Sequence, residues 1–207
     1  VPFNLEADSL NASILGEDAV PGTPEFDLFI KEVRKEMTVK AGQKCTAIRR
    51  VIVPTNLVGE VQEALRIQLN KTTIGDPNVE GVRMGALAGY NQREEVRENV
   101  MQLAEFQEII YGDLQEVAVT GADANKGSFL SPILMYNDAP FEKTAVHEIE
   151  AFGPVSTILP YDSLEDAIEI TRLGARIFSH PRLPRMTHKL PQNLFWEPLP
   201  TTAEFSY

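Results

Sequence analysis

Between Thr23 and Pro54 the spacing of apolar residues changes character once, and the change surrounds the chain's single cysteine. Phe26, Phe29, Ile30, Val33 and Met37 recur with the period of an α-helix. Thr23 can cap that helix, Pro24 suits its first turn, and Glu25 and Asp27 complement the positive end of its dipole. From Ile48 to Val53 the chain is instead a β-branched run that ends at Pro54, which reads as a strand. Joining the two is Ala41-Gly42-Gln43-Lys44-Cys45-Thr46-Ala47. Helix, glycine turn and strand in this order can hold one thiol at the edge of a scaffold, because Gly42 frees the backbone and the flanking elements fix the sulfur. A lone cysteine is more often a small buried hydrophobe than a nucleophile. The residues around Cys45 favour the nucleophile.

The same alternation continues. A first strand and loop occupy residues 1–22, with Asn11 to Leu15 the most strand-like part. A second amphipathic helix carries Leu57, Val61, Ala64, Leu65 and Leu69, and the loop Ile74-Gly75-Asp76-Pro77 follows it. Gln92 to Glu105 predicts a helix with Val96, Val100 and Leu103 inward. Glu116 to Val119 is strand-like, Phe129 to Met135 is an apolar segment interrupted by Pro132, and Val155 to Leu159 reads as a strand. Ser163 and Asp166 have the spacing of a capping pair for a last helix bearing Leu164, Ala167 and Ile168. Strands alternating with helices predict an α/β fold, a layered sheet with flanking helices.

Composition narrows the function. A net charge of −11 over 207 residues argues against nucleic acid and anionic membrane as main partners, since both need a basic face. One cysteine excludes an internal disulfide framework and suggests a reducing, cytoplasmic setting. No apolar run approaches membrane-spanning length, and the start lacks the layout of a signal peptide. The first residue is Val, so the chain is expected to begin inside a longer protein. From His180 onward Pro181, Pro184, Pro191, Pro198 and Pro200 exclude a sustained helix or central strand, which predicts an extended tail.

Other polar groups carry less. Arg49 and Arg50 read as solvent-facing charge on an edge strand, with attraction of a coenzyme A phosphate as the alternative. His147 beside Glu148 hints at a proton shuttle. Three histidines and one cysteine have no metal-ligand spacing, so no metal is expected. Glycine-rich phosphate loops are absent from the sequence.

Gly42-Gln43-Lys44-Cys45-Thr46-Ala47-Ile48-Arg49-Arg50 resembles the nucleophile motif of the aldehyde dehydrogenase family. Its detail is most similar to the dehydrogenase half of the bifunctional phenylacetate-degradation enzymes, which pair it with an oxepin-CoA hydrolase. Further markers follow in the family's order. Leu5-Glu6-Ala7-Asp8-Ser9-Leu10-Asn11 resembles the general-base segment, although the family's paired glycines after Glu-Leu are replaced. Gly75-Asp76-Pro77, Met84-Gly85-Ala86-Leu87 and Phe129-Leu130-Ser131-Pro132 are similar to its middle markers. Glu150-Ala151-Phe152-Gly153-Pro154-Val155 is similar to its Glu-Ile-Phe-Gly-Pro-Val signature. The resemblance covers residues 1–173 as a catalytic-domain fragment and leaves 174–207 as a divergent, proline-rich tail. It implies that a Rossmann-type cofactor domain, and with it most of the NAD or NADP site, lies upstream of Glu6 and is lacking here.

By that resemblance Cys45 attacks an aldehyde, hydride leaves to a nicotinamide, and water releases the acid from the thioester. Glu6 is the base for that water; Glu150 and Phe152 contact the cofactor's ribose and ring. The aldehyde is expected to be a small molecule, with a CoA-linked semialdehyde of aromatic breakdown as the finer expectation. The intact enzyme is expected to be a homo-oligomer, and the fragment inactive alone. Two other classes stay open: a non-catalytic orphan domain or interaction module, and a thiol esterase working without nicotinamide.

Overall fold

A computed structural model describes residues 9–174, together with the backbone of residues 185–186. Six strands among the described residues form one sheet. They are β1 (Ala12–Ile14), β2 (Arg50–Pro54), β3 (Glu108–Tyr111), β4 (Ile133–Tyr136), β5 (Val155–Tyr161) and β6 (Arg185–Met186), ordered β3-β4-β5-β2-β1-β6. All neighbours are parallel except β3 with β4, which is antiparallel. The helices are α1 (Pro24–Thr38), α2 (Val58–Asn70), α3 (Tyr90–Ala104) and α4 (Leu164–Leu173). The expected α/β sheet with flanking helices is therefore present.

The side-chain period of two along a strand sorts the core into layers. Val51 and Val53 of β2, Leu134 of β4 and Ile158 of β5 pack against Phe29, Ile30, Val33 and Met37 of α1 and Val61, Leu65 and Leu69 of α2. On the other face Ile52, Leu159 and Tyr161 meet Ala167 and Ile170 of α4. Val155, Ile133 and Met135 meet Val96, Val100 and Leu103 of α3 there too. Thr23 caps α1 through Phe26 N–H, and Ser163 with Asp166 closes a capping box on α4, both as the sequence predicts.

Three expectations need correction. Arg49 and Arg50 do not sit on an edge strand: β2 lies between β5 and β1, and the two residues are only 4% and 3% exposed. Glu116–Val119 forms no strand. Its backbone serves a loop in which Thr120 makes a single bridge to Gly75, while the edge strand is β3, separated from the end of α3 by three residues. His147 is 2% exposed and held on both ring nitrogens, so it has no access to shuttle protons with solvent. Glu6 and the tail, apart from the backbone of 185–186 paired to β1, lie outside the described residues. No helix among the described residues is long and apolar enough to cross a membrane.

Candidate active site

α1 does not run straight into the thiol loop. After Thr38 a 3-10 turn spans Val39–Gly42, and Lys40, Ala41 and Gly42 take φ values of 55°, 50° and 70°. Left-handed backbone costs a non-glycine residue roughly 1–2 kcal/mol. Two such residues in succession persist only where the surroundings over-determine the turn. Those surroundings are visible. Ala41 is buried, and Gly42 packs so tightly that a Cβ on it would lie 2.1 Å from the carbonyl oxygen of Gly153.

From this turn every residue up to the cysteine is held by a different element. Arg49 Nη2 donates to Gly42 O at 2.9 Å. Gln43 accepts from Ala88 N–H at 2.8 Å through Oε1 and donates to Gln92 Oε1 at 3.2 Å through Nε2. Lys44 Nζ pairs with Glu36 of α1 at 2.8 Å. The Cys45 carbonyl accepts from Asn11 Nδ2 at 2.7 Å and from Ser9 Oγ. Asn11 Nδ2 also reaches Ser9 Oγ at 2.7 Å and Ala47 O at 3.2 Å, and Asn11 O accepts from the N–H groups of Arg49 and Arg50. Cys45 itself is exposed. A fixed backbone with an exposed thiol is what a covalent nucleophile needs.

Behind the loop lies the second motif. Arg49 Nε meets Glu150 Oε1 at 3.1 Å, and Nη1 donates to Gly153 O at 2.6 Å. Its guanidinium stands 5.5 Å from the centre of the Phe152 ring. Burial pulls the Arg49 pKa below its ordinary value, and the charge of Glu150 opposes that shift. The other oxygen of Glu150, Oε2, accepts from Ser9 N–H at 2.8 Å, and Asn99 of α3 donates to the Glu150 carbonyl at 2.9 Å. Cys45, Glu150 and Phe152, separated by up to 107 positions, are thus gathered around Arg49 and Ser9.

Arg50 faces the opposite layer. It donates to Leu10 O at 2.9 Å, Ile170 O at 2.7 Å and Thr171 O at 3.2 Å, and meets His147 Nδ1 at 3.2 Å. Burial brings its pKa down to about 10. His147 Nε2 lies 2.8 Å from Pro140 O, a contact only an Nε2–H can make, so Nδ1 is the acceptor for Arg50. Both guanidinium groups are spent on the protein's own carbonyls, which removes them as a coenzyme A phosphate site.

The two residues expected to meet a nicotinamide cofactor fare differently. The Phe152 ring is 38% exposed and fits a contact with a flat ring. Glu150 does not fit a ribose contact in this arrangement: its side chain is 7% exposed and both oxygens are engaged inward. Sequence reading gave no role to Ser9 or Asn11 and read Arg49 as surface charge. Ser9 and Asn11 lie in the stretch that resembles the family's general-base segment, and that resemblance is the signal that points to them.

An ordered set of motifs, an exposed thiol beside a mostly parallel, layered sheet, and the packing of Gly42 on Gly153 point to one protein class. The aldehyde dehydrogenase family model matches residues 1–172, and the chain belongs to that family. It is 43% identical over 174 residues, 84% of its length and 34% of the relative's, to a 3,4-dehydroadipyl-CoA semialdehyde dehydrogenase of Aromatoleum evansii. It is 40% identical over 92 residues to the protein MaoC of Klebsiella aerogenes, covering 44% of this chain and 26% of that one. Betaine aldehyde dehydrogenase of Staphylococcus aureus, solved in complex with NAD+, superposes with a TM-score of 0.67 at 25% identity, over 78% of this chain and 30% of that one. The chain spans about a third of the length of the first of these curated relatives.

Proposed function

We propose that residues 1–173 are the thiol-bearing catalytic part of an aldehyde dehydrogenase, with Cys45 as nucleophile, Glu6 as the base for hydrolysis and Phe152 against the cofactor ring. The observation that carries the reading is the pinned loop that leaves Cys45 exposed while fixing each residue before it. Cys45 Sγ, as thiolate, forms a C–S bond to the aldehyde carbon while the carbonyl π electrons pass to oxygen. Two-electron oxidation of that adduct is the chemistry a bound NAD or NADP supplies. In the thioester that results, water deprotonated by Glu6 attacks the acyl carbon, the C–S bond breaks, and the acid leaves with the thiolate restored.

A CoA-linked semialdehyde is the proposed substrate class, supported by the semialdehyde relative at 43% identity. The 207 residues by themselves are proposed not to oxidise aldehydes, because the family resemblance assigns the dinucleotide fold to residues other than these. Homo-oligomeric assembly, a cytoplasmic setting and a divergent tail over 174–207 belong to the same reading.

Competition for the thiol tests it. Alkylation of Cys45 by iodoacetamide, followed by mass spectrometry, is expected to slow several-fold in the presence of a C6 aliphatic semialdehyde. Alkylation unaffected by millimolar aldehyde would leave Cys45 without a substrate role and favour a non-catalytic module.

A further inference from the structure

Both oxygens of the Glu150 carboxylate are used inside the protein, and both lead to the thiol loop. Oε2 takes the N–H of Ser9, whose hydroxyl in turn donates to the carbonyl of Cys45. Oε1 takes Nε of Arg49, whose remaining nitrogens donate to Gly42 O, three residues before the cysteine, and to Gly153 O, three residues after Glu150. Two routes therefore run from one carboxylate to the two ends of the segment Gly42–Cys45. The Glu150 side chain is 7% exposed and that of Arg49 is 4% exposed, and the Arg49 donations to Gly42 O and Gly153 O are buried, so water does not compete on that route. On the other, the Ser9 N–H contact is part-buried and the Ser9 hydroxyl contact is exposed. At this burial an ion pair with well-placed secondary partners holds a geometry, and removing one member leaves a charge uncompensated.

From this arrangement we infer that Glu150 is a positioning residue for the Cys45 loop, acting through Ser9 on one side and Arg49 on the other. The inference rests on Cys45 being the reactive thiol only for its catalytic meaning; the structural coupling stands apart from it. Glu150 is adapted to this task because an ionised carboxylate has two acceptor oxygens, whereas glutamine has one and turns an amide donor toward the other partner. Glu150→Gln therefore cannot serve Ser9 N–H and Arg49 at once. The left-handed turn at Lys40–Gly42 makes the coupling consequential: its strain is held in place partly by the Arg49 donation to Gly42 O.

Hydrogen exchange of the 207-residue chain, followed by mass spectrometry, tests the coupling. In Glu150→Gln, peptides covering residues 42–47 are expected to exchange at least threefold faster, while α4 keeps its wild-type rate. Ser9→Ala is expected to do the same, Ser9→Thr to restore the wild-type rate, and the double variant to exchange no faster than the faster single. Ser163→Ala, which removes a helix cap far from the loop, is the control for loss of stability alone and should leave residues 42–47 unchanged. Wild-type exchange at residues 42–47 in a folded Glu150→Gln, or acceleration spread evenly over the chain, would overturn the inference. Should Glu150→Gln fail to fold, Glu150→Asp takes its place, since the shorter carboxylate keeps the charge but not the reach to Ser9 N–H and Arg49 at once, and unchanged exchange at residues 42–47 there would again overturn it. The aldehyde competition at Cys45 reports separately. A protected thiol with unchanged exchange removes the positioning role alone; altered exchange with an unprotected thiol removes the nucleophile alone.

Discussion

Gly42 and Gly153 touch backbone to backbone, with space for nothing larger than hydrogen on Gly42: a Cβ there would sit 2.1 Å from Gly153 O and 2.9 Å from Pro154 Cα. This contact brings the turn before the thiol against the Glu150–Pro154 segment. Gly42→Ala faces that clash and a φ of 70° together. We expect it to lose at least about 3 kcal/mol of stability in urea unfolding, because the obstructing atoms are backbone and cannot rotate away.

Arg50 predicts a failure of the conservative exchange. Its fork serves three backbone carbonyls and one imidazole, and Gly174 closes over it with no room for a side chain, since a Cβ there would lie 2.3 Å from the guanidinium carbon. Lysine has the charge without the fork. Arg50→Lys should cost about 2–4 kcal/mol through unsatisfied buried carbonyls, measured by equilibrium denaturation at neutral pH.

His147 predicts a pH dependence. Burial pulls its pKa from 6.5 down to about 4, with the hydrogen bond to Pro140 O opposing and the charge of Arg50 adding to the fall. The folded value is lower than the unfolded one, so between those two values the unfolded chain binds the proton more readily. Stability from this group is therefore full above pH 6.5, is lost as the pH falls toward 4, and is flat below. The loss amounts to at most about 3 kcal/mol. Urea midpoints from pH 7.5 to 4 should show a slope that is shallower in His147→Gln; an equal slope in both would remove His147 as its source.

Ser163→Ala tests a purely local feature. Ser163 Oγ accepts from Asp166 N–H at 3.2 Å, and Asp166 Oδ2 accepts from Ser163 N–H at 3.0 Å. Removing the hydroxyl should cost about 1 kcal/mol. The alkylation rate of Cys45 should not change, and a change would mean that α4 communicates with the thiol loop.

How much could be read in advance depended on the range of the interaction. α1 was legible because its cap, its acidic first turn and its apolar stripe lie within fifteen residues, and tertiary packing agreed with all three. The capping box of α4 was legible for the same reason. β3 was not, since a four-residue strand becomes one by pairing with β4 some 25 positions later, and Glu116–Val119 has a strand's composition without a partner. In the candidate site, Cys45 announced itself through its flanking residues. Arg49 did not, because paired arginines on any exposed edge would look the same.

Legible along the chain alone were the helices, the caps of α1 and α4, the β-branched run after a single cysteine, and the ordered motifs of the aldehyde dehydrogenase family. Each of these depends on neighbours along the chain, where propensity and periodicity act. Only the tertiary structure decided that β2 is interior, that Arg49 and Arg50 are buried, and that Glu150 turns inward to Ser9, 141 positions away in the chain. The physical reason is desolvation. A buried guanidinium or carboxylate must find its partner wherever the fold places one, and no local pattern encodes that address.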